Sequence, residues 1–372
     1  MVFNIALSAF VLALPLLLVD AASTKRSMCS DGRSAAANSA CCAVFPVVED
    51  IVDNLFTNEC GDSAHGALRL LFHDAIGISP TAGGGGADGS IATFNATELT
   101  FPANLGIDDI LDDLGPFLLK HSNVLSAGDF IQLAGAVSLV QCPGAPRIPF
   151  FMGRPAPVAA SPPNLVPQPT DDITTILDRF GSVGFSPAEV VAVVGGSHSV
   201  AGADDVVPNF EGVPFDQTPA QFDTQIFVDV LLRGTAFTDG QGAQSGESET
   251  AVAGTVRLQS DGLLARDPRT ACTWQSFVNQ QSKMAQAFGE AVLKLSFLGQ
   301  NQHELTDCSE VIPQAIALKT GAATFPPGKT VKDIELSCND AKFPNLRTQP
   351  GPATTVSPIP QAVSTSTAAP AS

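Results

Sequence analysis

Apolar residues recur at helical spacing over most of this chain, and short alternating strand-like runs are scarce. The most ordered pattern is Ala67-Leu68-Arg69-Leu70-Leu71-Phe72-His73-Asp74-Ala75. Long side chains surround two polar ones there, with no proline and no β-branched run, which predicts a helix starting near residues 61–63. Further helices are predicted over 44–56, 106–120, 127–139 and 273–298. The 106–120 helix ends in Lys120-His121, a cationic pair suited to a helix C-terminus. Ser186-Pro187-Ala188-Glu189 has the form of a capping box with proline at the first helical position, and the helix it opens carries His198 in its last turn. Residues 142–169 are dense in proline, including Ser161-Pro162-Pro163, and break the helical pattern into two parts. Residues 234–255 read as Gly/Ser/Glu-rich loop. From 346 to 372 a Pro/Ser/Thr/Ala mixture predicts a disordered tail. The expected fold class is mainly α with little β.

Several polar residues interrupt these patterns where chemistry could reside. Arg69 and His73 are four apart and project from one helix face, whereas Asp74 is rotated by about 100° and points elsewhere. Taken alone, the pair reads as a core histidine with an arginine reaching outward to water. Gly83-Gly84-Gly85-Gly86-Ala87-Asp88-Gly89-Ser90 is glycine-rich but lacks the Lys-Ser/Thr ending of a phosphate loop. Its alternating oxygen side chains, Asp88 and Ser90, suit Ca²⁺ better. A second alternation of oxygen ligands runs through Asp216, Thr218, Gln221 and Asp223, again pointing to Ca²⁺.

Composition narrows the setting. The 372 residues carry a net charge of −18 from 37 acidic and 19 basic side chains, and no basic patch is evident. Such a polyanion is a poor partner for nucleic acid or anionic membrane. Residues 1–26 combine an apolar stretch, the small residues Ala21-Ala22 and a dibasic Lys25-Arg26, and read as a secretory signal with a pro-segment. Eight cysteines in a secreted chain argue for four disulfides, with adjacent Cys41 and Cys42 bonded to different partners. Pattern alone leaves on the order of 100 connectivities. Asn95-Ala96-Thr97 is a glycosylation sequon. The aromatics comprise 23 Phe, one Trp and no Tyr. Phe fills a core as Tyr does but resists one-electron oxidation, so this inventory fits an interior cleared of oxidisable rings.

Taken in order, Arg69-Leu70-Leu71-Phe72-His73-Asp74, Gly83 to Ser90, Ala134-Gly135-Ala136-Val137 with Gln141-Cys142-Pro143-Gly144, Gly196-Ser197-His198-Ser199 and Leu258-Gln259-Ser260-Asp261 resemble the secreted fungal class II haem peroxidases, the family of generic, manganese, lignin and versatile peroxidases. The resemblance covers nearly all of the chain after the leader. It implies a two-lobed fold with one non-covalent haem b between a distal lobe (27–170) and a proximal lobe (171–345), and no Cys-x-x-Cys-His motif for covalent attachment is present. His198 resembles the iron ligand, Asp261 its carboxylate partner, and Phe215 a ring beside it. His73 resembles the distal base, Asn104 the residue that fixes its tautomer, and Arg69 the cation that steadies the departing oxygen, with Phe72 in the haem pocket. Two Ca²⁺ sites are implied, one from Asp74, Gly86, Asp88 and Ser90, the other from Ser199, Asp216, Thr218, Gln221 and Asp223. The family framework pairs Cys29 with Cys42, Cys41 with Cys308, Cys60 with Cys142 and Cys272 with Cys338. H₂O₂ and small aromatic reductants are the implied substrates of a secreted monomer.

The choice of electron donor departs from better-known members. Manganese-oxidising relatives set three carboxylates at the positions of Asp62, Gly66 and Asp204, and Gly66 has no side chain to offer. Asp62 reads equally as an N-cap or first-turn acid. The surface Trp that lignin and versatile peroxidases carry five residues before the iron ligand is Val193 here. The expectation is therefore a generic peroxidase acting on phenols and other low-potential aromatics at the haem edge. Manganese oxidation through Asp62 and Asp204 is the alternative, and a non-catalytic secreted Ca²⁺-binding protein is the reading from another class. His65 and His303 read as ordinary surface residues.

Overall fold

The computed structural model describes residues 26–360 except 204, 209, 320, 321, 336 and 337. The leader at 1–26 thus lies almost wholly outside the described residues, as does Asp204. Twelve helices account for most of the regular structure among the described residues: α1 (Phe45–Asn54), α2 (Asp62–Ala75), α3 (Ser90–Thr93), α4 (Asn95–Glu98), α5 (Ile107–Lys120), α6 (Ala127–Gln141), α7 (Ile173–Gly181), α8 (Pro187–His198), α9 (Ile226–Asp229), α10 (Gln259–Leu264), α11 (Ala271–Phe277) and α12 (Gln281–Leu295). Strands are only two residues long and pair antiparallel: Ser27–Met28 with Ala35–Ala36, Phe151–Met152 with Thr306–Asp307, Gly202–Ala203 with Val213–Pro214, and Glu247–Ser248 with Arg257–Leu258. The mainly helical expectation holds.

Local sequence explains where the two central helices begin and how they are held. Gly61 stands at the N-cap of α2, which makes Asp62 a first-turn acid facing the positive end of the helix dipole. At the other end, Arg179 of α7 donates to the carbonyls of Ile76 and Ile78, just past the last turn of α2. On α8 the Ser186 hydroxyl caps the Glu189 N–H while the Glu189 carboxylate accepts from the Ser186 N–H, the reciprocal box that the sequence predicts.

The core needs very small residues where helices cross. Gly135 of α6 packs on Leu71 of α2 so closely that a Cβ would fall 2.4 Å from a leucine carbon. Gly196 of α8 meets the Phe288 ring of α12 at the same 2.4 Å. Both crossings sit one turn or less from a histidine of interest, so they fix how deeply α2 and α8 enter the core. Trp274 is fully buried against Phe227, with Nε1 donating to the Phe227 carbonyl.

Four disulfides join Cys29 to Cys42, Cys41 to Cys308, Cys60 to Cys142 and Cys272 to Cys338, the pairing implied by the family resemblance. Cys41–Cys308 ties positions 267 residues apart, and Cys60–Cys142 staples the start of α2 to the end of α6. The proline-dense 142–169 stretch is irregular apart from its two-residue strand. It is fastened by Arg154, buried, whose guanidinium bonds Asp129 of α6 at 2.9 Å and the Ser296 carbonyl after α12.

Two expectations are corrected. The 273–298 run is not one helix: Asn279 adopts a left-handed conformation (φ 57°) and separates α11 from α12. Asparagine tolerates that region through its short polar side chain, so apolar periodicity reads straight through the break. The tail is not disordered from 346: the Gln349 N–H donates to Phe325, Val356 to Ala253 and Ile359 to Gly212, all through backbone carbonyls. Residues 361–372 lie outside the described residues. Ile359 is buried against Gly202. Deleting residues 350–372 removes that apolar cover, a loss of about 1.5–3 kcal/mol for one fully buried isoleucine. The truncated chain should unfold several degrees below the full chain in a thermal scan, and an unchanged midpoint would show that the strap carries no stability.

Candidate functional site

A cavity of about 380 Å³ runs between α2 and α8 and has both His73 and His198 in its wall, with Arg69, Phe72, Phe180 and Phe215 also facing it. The two histidines lie 125 residues apart in sequence, as their numbers show, and meet here because each closes the last turn of its helix.

Each imidazole is oriented by a partner behind it. His73 Nδ1 lies 2.9 Å from Asn104 Oδ1, and the Asn104 amide is itself fixed because Nδ2 donates to the Glu98 carbonyl at 2.9 Å. The oxygen therefore faces the ring, Nδ1 carries the hydrogen, and Nε2 keeps a lone pair. Burial, followed by the Arg69 charge, pulls the His73 pKa down to about 3, so the ring is neutral above strongly acid pH. His198 Nδ1 is 2.9 Å from both carboxylate oxygens of buried Asp261, so Nδ1 donates to Asp261 and, in the neutral ring, Nε2 is the lone-pair nitrogen. The Phe215 ring centroid is 4.9 Å from that of His198. Arg69 donates through one terminal nitrogen to the Leu105 carbonyl at 2.7 Å.

Ser161, which sequence reasoning missed, extends the support behind His73. Its N–H donates to Glu98 Oε1 at 2.8 Å and its hydroxyl is 3.0 Å from the Ser90 hydroxyl. A continuous set of contacts thus runs from His73 through Asn104, Glu98 and Ser161 to Ser90 of the glycine-rich loop.

Two carboxylate clusters flank these helices. Asp74 is fully buried; Oδ2 accepts from the Gly89 N–H, while Oδ1 has no partner. Burial, then the nearby Asp88, pushes its pKa well above the usual carboxylate value. Asp88 Oδ1 accepts from the Ser90 N–H, and Gly86 sits so close to the Leu298 carbonyl that a Cβ would be 2.2 Å away. In the second cluster Asp216 is 1% exposed, with Oδ2 unpartnered, and Thr218 donates to Asp216 through N–H and to Asp223 through its hydroxyl. Burial and then Asp223 push the Asp216 pKa well up, and burial takes Asp223 to about 6. Buried Asp229, unnoticed in the sequence, lies beside them and accepts from Gln217 and Gln225. Ser199 is buried with its hydroxyl on the Gly196 carbonyl, and the Gln221 N–H donates to Thr218. Buried carboxylates with unfilled oxygens are costly without a cation, and their oxygen-only chemistry suits a hard one.

With this geometry in view, comparison with known proteins decides the family. Residues 47–280 match the peroxidase family, and residues 283–361 match the fungal peroxidase extension region. The chain belongs to the peroxidase family. It is 50% identical over 369 residues to Versatile peroxidase VPS1 of Pleurotus eryngii, covering 95% of this chain and 98% of that protein. It is 50% identical to Manganese peroxidase 3 of Phlebia radiata over 92% of this chain and 96% of that protein. Ligninase H2 of Phanerodontia chrysosporium is 47% identical, covering 97% and 98%. Membership implies a haem-type cofactor, with H₂O₂ and a reductant as substrates, and it identifies the chain as an oxidoreductase. No helix among the described residues is long and apolar enough to cross a membrane.

At Asp62 and Gly66, where the sequence expectation set the manganese alternative, the wall differs from a simple loss of one ligand. Gly66 is not an empty place: a Cβ there would lie 2.9 Å from Ile110 Cβ on α5. Asp62 lines the cavity one turn before Gly66. His65, expected on the surface, is 7% exposed and lines the cavity too, with Nδ1 unpartnered and Nε2 3.5 Å from Cys60 Sγ. Burial lowers its pKa to about 4. His303 does stand exposed. Gly66→Glu should therefore overpack the α2–α5 crossing and destabilise the fold by about 1–3 kcal/mol, a cost that Ile110→Ala relieves. Thermal unfolding of the two variants checks this; a Gly66→Glu protein as stable as wild type would contradict it.

Proposed function

We propose that this chain is a secreted haem peroxidase that uses H₂O₂ to make one-electron oxidations of phenolic and other low-potential aromatic donors. The observation that carries the reading is one cavity faced by two imidazoles, each with Nδ1 committed to an acceptor behind it. Haem b would be held through His198 in this cavity, and would supply the redox chemistry by which two oxidising equivalents of peroxide reach donors one electron at a time. The cavity fits a flat apolar group because Phe72, Phe180, Val193 and Leu264 line it beside the two polar edges.

Each side chain then has a defined task. His198 Nε2 would hold the iron, and Asp261, accepting from Nδ1, makes that nitrogen a stronger donor. His73 Nε2 accepts the proton of the nearer peroxide oxygen and passes it to the farther one, which leaves as water. The Arg69 guanidinium stabilises the negative charge that develops on the departing oxygen. Asn104 keeps His73 in the tautomer that can do this.

Asp74, Gly86, Asp88 and Ser90 would hold one Ca²⁺, and Ser199, Asp216, Thr218, Gln221 and Asp223 a second. The unpartnered oxygens Asp74 Oδ1 and Asp216 Oδ2 support both sites. Because Asp74 follows His73 directly, the first cation would pin the end of the helix that carries the base. Secretion is supported by the apolar leader and four disulfides. The likeness to a relative named Ligninase H2 supports lignin degradation as a setting for such chemistry. Manganese oxidation is not favoured, since Ile110 occupies the space from which a second helix carboxylate would come.

His73→Ala should slow the reaction of the holoenzyme with H₂O₂ by about 10²–10⁴, and Arg69→Ala by about 10²–10³. Stopped-flow absorbance at the Soret band measures both. With the His73 pKa near 3, the wild-type rate should stay level from neutral pH into mild acid and fall only as the ring gains a proton. Loss already at pH 6.5 would contradict the assigned base.

Ca²⁺ removal has a pH signature. In the cation-free protein Asp74, Asp216 and Asp223 titrate above the usual carboxylate range, so the folded state binds protons before the unfolded chain does, and acid stabilises it relative to neutral pH. Ca²⁺ requires the same groups ionised. The gap in Tm between Ca²⁺-loaded and chelator-treated protein should be widest above pH 7 and shrink as pH falls through about 6 toward 4. A gap that does not depend on pH would rule these carboxylates out as ligands.

A further inference from the structure

Asp229, the last residue of α9, is buried and takes no part in the peroxide chemistry. Three N–H groups converge on its carboxylate. The Gln217 backbone N–H donates to Oδ2 at 3.1 Å, and the side-chain amides of Gln217 and Gln225 both donate to Oδ1 at 2.8 Å. None of these donors is a cation. The charge nevertheless stands near two more: Asp229 raises the cost of ionising buried Asp216, and Asp223 raises that of Asp229. Three like charges buried together are unfavourable in a cation-free fold. Arg257, also buried, offsets one of them from the side, donating to the Asp229 and Leu232 carbonyls at 2.9 and 2.8 Å. With that guanidinium counted, a divalent cation would leave the region neutral.

The donors also show what Asp229 holds. Gln217 lies between Asp216 and Thr218 and is gripped through both its backbone and its side chain. Gln225 follows Asp223 by two residues, and its N–H donates to Asp223 Oδ1 at 2.8 Å. The Gln225 amide is fixed in turn by Thr324, whose carbonyl accepts from Nε2 at 2.9 Å and whose N–H donates to Oε1 at 3.0 Å. One carboxylate thus ties the front of the 216–225 loop to its back. Inside the loop, Thr218 donates through its N–H to Asp216 Oδ1 at 2.7 Å and through its hydroxyl to Asp223 Oδ1 at 3.1 Å. Asp216 Oδ2 is buried there without a partner. The loop is therefore wound before any cation arrives, with an acceptor left unfilled.

We propose that Asp229 is the positioning residue of the second Ca²⁺ site: from outside the ligand set, its carboxylate clamps Gln217 and Gln225 so that Asp216, Thr218 and Asp223 converge, and its charge matches the site to a divalent cation. The inference rests on the Ca²⁺ reading of this loop. Ser199 belongs to the same ligand set and follows His198 directly, so the clamp also bears on the end of the helix that presents the iron ligand.

Calorimetric titration of Ca²⁺ into calcium-depleted holoenzyme tests it, together with thermal unfolding in chelator and in saturating Ca²⁺. Wild type should take up two Ca²⁺. Asp229→Asn keeps the size of the side chain, removes its charge and sets an amide donor against the N–H groups of the clamp. It should weaken one of the two sites roughly 10- to 100-fold and leave the other unchanged. The weakened site should be the one that Asp216→Asn abolishes. Gln217→Ala, at a half-buried position, removes one arm of the clamp and leaves the carboxylate; it should weaken the same site severalfold, and it decides the matter if Asp229→Asn does not fold. A purely structural role would lower Tm equally with and without Ca²⁺, whereas the clamp predicts a gap between variant and wild type that widens in Ca²⁺. Unchanged dissociation constants, an equal gap in both conditions or a loss confined to the other site would overturn the proposal. If wild type takes up no Ca²⁺ that depends on Asp216, the Ca²⁺ reading of the loop itself fails, and this proposal with it.

Discussion

A histidine has two ring nitrogens, and everything in this cavity depends on the outer one of each pair being spoken for. Asn104 takes the Nδ1 hydrogen of His73, and Asp261 takes that of His198. Both rings line the same cavity, one from the last turn of α2 and one from the last turn of α8. The partners differ in a way that matters. A neutral amide oxygen fixes a tautomer without adding charge, which suits a base that must be neutral to accept a proton. A carboxylate pushes electron density onto its imidazole, which suits a metal ligand.

The rest of the molecule holds these pairs in place. Asn104 is oriented by Glu98, Glu98 by Ser161, and Ser161 adjoins Ser90 of the glycine-rich loop. That loop returns to Asp74, the residue after His73, through the Gly89 N–H. On the other wall, Gly196 lets α8 settle against Phe288, and Asp261 lies buried on α10. The buried acids beside each histidine are unfavourable in isolation. Cations at these acids would turn a cost into a fastening at the two points where the catalytic helices end.

Much of this was legible in the sequence because it is local. The Arg69/His73 stripe follows from the helical period, and the start of α8 from four residues, Ser186 to Glu189. The lack of strands follows from the scarcity of alternating runs. What was not legible depends on contacts between distant segments. His65 looks exposed beside Asp62 and Ser63, yet the Cys60–Cys142 bridge and the Pro219 segment cover it. Gly66 looks like a ligand that has been lost, whereas Ile110 on another helix leaves room for nothing larger. The 346–360 segment has the composition of a free tail, but a pair of backbone hydrogen bonds with Phe325 and one each to Ala253 and Gly212 hold it down. Asn279 breaks a helix without disturbing the apolar period on either side. The family resemblance supplied the disulfide pairing and the distal and proximal roles, neither of which periodicity or spacing could give.

One titration bears on the central claim more directly than any rate. Cofactor-free protein is titrated with haemin, and the Soret spectrum is followed for wild type and for His198→Ala. The account predicts a single equivalent bound by wild type with the spectrum of a histidine-ligated high-spin ferric haem. It predicts an altered spectrum in the variant, restored toward wild type by added imidazole. Identical spectra for the two proteins, or no saturable binding by wild type, would contradict it.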